Sequence, residues 1–293
     1  MTTAMKPSSL DAAVQDAIAA LLKATTCSAS ECETHKVIAV QGWATSAQNI
    51  ECLATYLVGL LASTISRTLE VRAHITTSMS DRLEILRSVE QIVGSAAAPL
   101  TDDHKQDQRN PWIAEGLWHL YFFLAARNAA LHPAGSVLAL DFPHVAAKDH
   151  GLDVLAIYRD GAQFGLAIVE CKAYEANPNK AINDAVKTFK QVDNGKHDAR
   201  IRQFVATVRT ALPPTEQAQV SASLWKDLRS YVPNPHYDQS KKPMNWTNKR
   251  TSFASLAVPA ARVIVMPHAI NQFATFFDDV AIAMMKIAQN ANV

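Results

Sequence analysis

Asp153, Glu170 and Lys172 are the residues whose types and spacing come closest to a recognisable chemistry. Successive side chains on a strand point to opposite faces, so Glu170 and Lys172 share one face while Cys171 enters the other packing layer. If the strand beginning near Asp153 pairs with the one ending at Lys172, two carboxylates and an ammonium converge at the end of an apolar sheet. Like charges that close repel, and burial penalises each ion. A divalent cation resolves both costs. Mg2+ (or Mn2+) suits the arrangement, because it needs only one or two protein carboxylates and shares its remaining positions with water and phosphate oxygens. Such an ion neutralises charge on a phosphoryl group and lowers the pKa of an attacking water, which Lys172 could orient. This is phosphodiester hydrolysis. A solitary Glu-x-Lys on a strand is usually an exposed ion pair; the upstream Asp153 and the elements around it raise the reading above that.

Those elements follow from periodicity and turn signals. Residues 1–105 read as a mainly helical N-terminal region, with amphipathic spacing over 10–22, 47–69 and 79–93, a short extended piece at 37–40, and Ser9, Ser78 or Ser80 as candidate N-caps. Six of the ten residues in 101–110 are charged or His, which marks a boundary. From 106 to 293 the pattern predicts a mixed α/β domain. A helix opens at Asn110-Pro111 and runs to about Leu131. Strands cover 136–142, 152–158 and 163–172, the last two joined through Asp160-Gly161 as a hairpin. Helices over 178–192 and 197–212 follow, then a strand at 260–266 and a helix at 270–289. The fold class is therefore α/β, a mixed sheet flanked by helices.

An Asp at a strand start, a hairpin, and Glu-x-Lys on the next strand, bracketed by helices, resembles the PD-(D/E)XK or restriction-endonuclease-like nuclease superfamily. The resemblance covers roughly 111–210 and the 260–266 strand. It implies Asp153 and Glu170 as metal ligands, the backbone carbonyl of Cys171 as a third, Lys172 as the catalytic lysine, and Glu115 as an additional acidic ligand. Leu152 stands where the family name has proline, and no Gln-x-x-x-Tyr follows Glu170, which leaves Gln191 as the nearest match to the helix residue of the RecB-like branch. Residues 151–185 are also similar to the nuclease subunits of Hachiman antiphage systems, with Gly151-Leu152, Glu170 through Tyr174, and Ala181-Ile182. The order His150-Gly-Leu-Asp153 departs from that pattern and keeps Asp149 as a reserve metal candidate. This resemblance implies antiviral defence with a helicase or ATPase partner, which the chain would need in trans because it has no P-loop.

Charge is consistent with a DNA partner only when counted by segment. The 293 residues carry 28 Lys+Arg and 27 Asp+Glu, a net charge of +1, which excludes bulk coating of nucleic acid. Residues 1–110 are net −3 and 111–293 net +4, while 172–209 alone holds eight basic against four acidic side chains. Lys180, Lys187 and Lys190, with Lys196, Arg200, Arg202 and Arg209, are candidate phosphate contacts; so are Lys241 and Lys242, with Lys249, Arg250, Tyr237 and Trp246 nearby for clamping or base stacking. The alternative for each group is a solvated face. Cys27, Cys32 and His35 lack a fourth ligand at zinc spacing, and His132, His144 and His150 near the first sheet strand read as ordinary histidines. With no secretory leader, no apolar run long enough for a bilayer and only four cysteines, the expectation is a cytoplasmic protein. The expected function is metal-dependent cleavage of DNA; the alternative is a catalytically inactive nuclease-like subunit that binds DNA or a protein partner.

Overall fold

A computed structural model of the chain describes residues 10–42, 46–73, 81–127, 134–141, 144, 151–210 and 212–290. The architecture is mixed α/β, with two mixed sheets and helices packed on them. Helix α1 (Leu10–Ala24) buries Leu10, Ala17, Ile18 and Leu21, one face at helical spacing. Strands β1 (Thr26–Glu31) and β2 (Lys36–Gln41) form an antiparallel hairpin, followed by α2 (Ala47–Ala73) and α3 (Asp81–Val93). The polar stretch expected as a boundary is helical. Thr101 caps α4 (Asp102–His104) by accepting from the His104 amide, and a π-helical turn (Lys105–Arg109) continues into α5 (Asn110–Ala125). Leu53, Leu57 and Val89 share one apolar cluster with Trp118 and Phe122 of α5, so the core crosses position 105. Ser9, Ser78 and Ser80 lie outside the described residues, as do His132, Asp149 and His150.

The second half supplies β3 (Ser136–Leu140), β4 (Val154–Asp160), β5 (Gln163–Ala173), α6 (Pro178–Asp193), α7 (Asp198–Arg209), the short α8 (Pro214–Gln217) and α9 (Leu224–Asp227), then β6 (Arg229–Tyr237), β7 (Ile264–Val265), β8 (His268–Ala269) and α10 (Phe273–Asn290). The larger sheet runs β3-β4-β5-β6-β8, antiparallel as far as β5 and parallel beyond it. Gly161 turns the β4–β5 hairpin at φ +59°, a left-handed conformation that suits glycine. Alternation sorts the sheet into two faces. Val154, Ala156, Ala167 and Val169 pack toward α5, while Leu155, Ile157, Leu166 and Ile168 pack with Ile182 and Phe189 of α6 and Ile201 of α7. Asn177 caps α6 by accepting from the Lys180 amide, and Pro178 opens it.

Three expectations differ from the structure. Helix α5 ends at Ala125. Over 260–266 there is a 3-10 turn (Ala260–Arg262) and only the two-residue β7, which pairs with β2 in the smaller sheet. A central strand, β6, was not foreseen, because Pro233 and Pro235 break its propensity pattern. Its hydrogen bonding explains why they are tolerated. The Leu166 amide donates to Leu228 and that of Tyr174 to His236, so even residues on both strands form the β5–β6 ladder. Pro233 and Pro235 are odd, and their missing N–H groups face away from β5; the Pro233 carbonyl still accepts from Met266. Among the described residues no helix is long and apolar enough to cross a membrane.

Candidate active site

The site forms where β4 and β5 part. Continuing the register Val154↔Val169 would set Leu152 opposite Cys171 and join them through backbone hydrogen bonds. Instead the Asp153 carboxylate reaches back, its Oδ2 accepting from the Cys171 amide at 2.7 Å, and the Leu152 carbonyl accepts from Nη2 of Arg200 at 3.2 Å. The Cys171 carbonyl thus lies beyond the last β4–β5 pair, on the side where the strands separate. The alternation expected from the sequence places Glu170 and Lys172 with Leu166 and Ile168 on the α6 face, and Cys171 in the cluster toward α5.

Lys172 Nζ lies 2.9 Å from Glu170 Oε2 and 3.4 Å from Asp153 Oδ2, so the three expected residues do converge. Their burial is uneven. The Glu170 side chain is 2% exposed, against 18% for Asp153 and 24% for Lys172; solvent reaches the cluster from the Asp153–Lys172 side. Burial pushes the Glu170 carboxyl well above the usual range and the Asp153 charge adds to it, with Lys172 and the Thr188 hydroxyl acting in the opposite sense. Glu170 Oε1 is buried and makes no well-formed hydrogen bond among the described residues, the Thr188 hydroxyl acting on the carboxyl from outside good bonding geometry. On Lys172, burial works against the proton, but the two carboxylates outweigh it and hold the ammonium charged. Two carboxylates share one ammonium, and the excess negative charge weighs most on the buried Glu170, whose proton affinity is raised.

Glu115 arrives from α5 and is also buried. Its Oε1 accepts from the His144 amide at 3.2 Å and its Oε2 from His144 Nδ1 at 3.1 Å. Burial, then the Asp153 charge, raises its carboxyl above the ordinary range, against the pull of His144. On His144 burial and the Arg200 charge disfavour the charged ring, while the Glu115 carboxylate raises its proton affinity. Arg200 Nη2 lies 2.9 Å from His144 Nε2. A guanidinium can only donate, so in this geometry Nε2 accepts and the ring is neutral with its proton on Nδ1. A chain Arg200–His144–Glu115 therefore stands beside Asp153. Gly151 makes room for it, since a Cβ there would fall 1.8 Å from Arg200 Nη1.

Sequence reasoning had Arg200 only as one of a basic series and set His144 aside. A usable signal was present: Glu115 and His119 are the polar side chains on an otherwise apolar α5 (112–125), and a buried carboxylate requires a partner. His119 has its own partners, Tyr56 Oη at 2.9 Å and the Asp141 carbonyl at 2.8 Å.

The lysines expected to meet phosphate are distributed differently. Lys180 and Lys187 both hold Asp184, each at 2.7 Å, and together they keep that carboxyl well below the usual range. Lys180 also lies over the Tyr174 ring at 4.0 Å. Lys241 pairs with Glu175 at 3.2 Å, while Lys190 and Lys242 are exposed. Stacking by Tyr237 and Trp246 is corrected: both are buried, with Trp246 Nε1 donating to Tyr237 Oη at 3.0 Å. The Trp246 carbonyl bonds His35 Nε2 at 2.8 Å, which ties that loop to the β1–β2 turn.

Among the described residues no three His, Cys, Asp or Glu side chains form a ready metal cage. Asp153, Glu170 and the Cys171 carbonyl nevertheless supply hard oxygen donors in number enough for a magnesium-type ion, which keeps most of its shell as water, and Glu170 Oε1 is an acceptor without a well-formed hydrogen bond. Glu115, with both oxygens engaged by His144, stands behind that set. Compared by sequence, the chain matches no protein-family model and no curated protein.

Proposed function

We propose that the chain is a metal-dependent nuclease with a restriction-endonuclease-like domain, hydrolysing phosphodiester bonds in DNA. The observation that carries the reading is the convergence of Asp153, Glu170 and Lys172 at the parting of β4 and β5, with one Glu170 oxygen buried and without a well-formed hydrogen bond. The helix before the sheet, the β4–β5 hairpin and the helix after it are the arrangement the family resemblance implies. Asp153, Glu170 and the Cys171 carbonyl would hold Mg2+ or Mn2+, which when bound would supply charge neutralisation at the phosphoryl group and acidify the attacking water. Lys172, charged and close to both carboxylates, would orient that water and stabilise the developing negative charge. Glu115 would act through His144. A cytoplasmic role in antiphage defence, beside a helicase or ATPase that the N-terminal region contacts, belongs to the same proposal.

A second reading, a nuclease-like subunit that only binds DNA or a protein, is favoured by one observation. Lys172 already bridges both carboxylates, which can make the cluster a structural ion-pair set. Incubating plasmid and single-stranded DNA with the full chain in Mg2+ or Mn2+, beside Glu170→Ala and Lys172→Ala, separates the two. The nuclease reading expects rates in the variants to fall by roughly 100-fold or more. Unchanged cleavage in both variants overturns it; DNA binding without cleavage by any form supports the second reading.

A further inference from the structure

The C-terminal ends of β5 and β6 lie side by side, since the Tyr174 amide donates to His236 and that of Asp238 to Glu175. The loop 239–250 leaves β6 at that end, where Glu170 and Lys172 stand on β5, and comes to rest against the start of α6 and the β1–β2 turn. There Arg250 Nη1 donates to Asn179 Oδ1 at 3.1 Å, and the Arg250 amide to Thr34 Oγ1 at 3.1 Å. The carboxylates at this end of the molecule already hold cations: Glu33 pairs with Lys249, Glu175 with Lys241, and Asp184 with Lys180 and Lys187. Arg250 has no such partner among the described residues. Its guanidinium lies over the Trp246 ring at 4.9 Å, and its Nε is buried without a hydrogen bond among the described residues. Burial disfavours its charge and no carboxylate offsets that cost. A guanidinium cannot shed its proton, so the charge must be met by solvent or by an anion from outside. Asn179 adds to the imbalance. Its carbonyl oxygen is taken by Arg250, its Nδ2 hydrogens have no acceptor among the described residues, and its side chain is exposed.

We propose that Arg250 and Asn179 form a phosphate clamp that grips the DNA backbone away from the carboxylate cluster. The identity of the ligand rests on the nuclease reading; the fit to a phosphate group rests on the pair itself. Guanidinium and amide together offer only donors, and a phosphate oxygen gives them a charge-assisted partner of the kind Arg favours. The Trp246 ring and the Asn179 carbonyl already fix the guanidinium plane, so little reorganisation accompanies capture. Trp246 is itself buried and has no face free for a base, which makes the contact one to the backbone, indifferent to sequence. A phosphorylated protein would present the same group. DNA is favoured by position, because the clamp stands at the end of the sheet that carries Glu170 and Lys172, with the exposed Lys242 in the same loop.

The test is binding of a short fluorescein-labelled DNA duplex by the full chain, followed by anisotropy over a range of salt in EDTA, where cleavage is blocked. Arg250→Ala is expected to weaken binding roughly tenfold and to flatten the slope of log affinity against log salt by about 0.9, one phosphate contact. Asn179→Asp separates the clamp from a structural latch. It keeps an acceptor for Nη1 and adds negative charge at the start of α6, where such charge is favoured, so the melting temperature should hold or rise while DNA affinity falls as far as in Arg250→Ala. Gln91→Glu, an added negative charge on the exposed side of α3, should leave binding unchanged. Duplexes of unrelated sequence should lose affinity equally. Wild-type affinity and slope in Asn179→Asp, or equal effects of Asn179→Asp and Gln91→Glu, would reduce Arg250 to a latch for its loop and overturn the clamp. So would Arg250-dependent capture of a phosphoserine peptide by a chain that binds no DNA. Clamp-dependent DNA binding with no metal-dependent cleavage would sink the nuclease reading and leave the clamp standing; Glu170-dependent cleavage with an unchanged slope in both clamp variants would do the reverse.

Discussion

Replacing Glu170 by Gln should stabilise the protein at alkaline pH and, on the proposed metal site, remove any stabilisation by Mg2+. The wild-type carboxyl is buried, with one oxygen lacking a well-formed hydrogen bond and the other bonded to Lys172, and its proton affinity is raised by that burial and by Asp153. In the unfolded chain the same group titrates near an ordinary glutamate. The folded state therefore binds more protons over the interval between the two midpoints, and stability falls as pH rises through it by about 1.4 kcal/mol per pH unit. A midpoint raised by even two pH units corresponds to about 3 kcal/mol lost above it. Glutamine keeps the shape, removes the charge, and leaves Lys172 paired with Asp153 at 3.4 Å. Melting in EDTA at a series of pH values should show the variant and wild type converging near pH 4 to 5, with the variant higher by roughly 5 °C at pH 9. On the proposed metal site, added Mg2+ should raise the wild-type melting temperature at pH 8 and leave the variant's unchanged, because only the wild type would gain a ligand of its folded state. A variant less stable at pH 9 than at pH 5, relative to wild type, would refute the reasoning and make the charged Glu170–Lys172 pair a net stabilising contact.

Gly151→Ala should push Arg200 off His144 and Leu152, costing about 1–2 kcal/mol for the lost hydrogen bonds; melting curves check the cost. Burial lowers the pKa of His119 to about 4 and that of His268 likewise to about 4, so each contributes stability that is present above the unfolded value near 6.5 and is lost as pH falls from there toward 4. His119→Gln should flatten that acid limb by about 1.4 kcal/mol per pH unit, measured by denaturant titration; this slope has the opposite sign to that of Glu170, so the two variants report separately. Asn234 is buried on β6 with both amide atoms unpartnered among the described residues. Asn234→Leu should therefore stabilise the fold by about 1–3 kcal/mol, and a drop in melting temperature would show that the amide has partners in solution.

What the sequence made legible, and what it did not, divides along physical lines. The β4–β5 hairpin was readable because Asp160-Gly161 is a turn signal and both strands alternate; the common face of Glu170 and Lys172 followed from the same period of two. Helix α6 was readable from Pro178 and its apolar stripe. Strand β1, Thr-Cys-Ser-Ala-Ser-Glu, is largely exposed and has no buried face to leave a pattern. Strand β6 carries two prolines that only the ladder geometry reconciles with a central position. The Glu115–His144 contact spans 29 residues, and nothing local to either residue announces the other. Position 105 looked like a boundary because charge is dense there, yet an exposed helix surface produces the same density.

The smaller sheet bears on the order in which the protein can be built. Its third strand, β7, docks on β2 through Lys36↔Ile264 and Val37↔Val265. Roughly 230 residues separate these partners, so at about 5–20 residues per second of synthesis β2 waits on the order of 10–50 s for its neighbour. Throughout that interval one edge of the β1–β2 hairpin has no strand to pair with, while α1 and α2 can already pack on each other. For that interval the β2 edge is open to strand-mediated misassembly, and the arrival of Ile264 closes it.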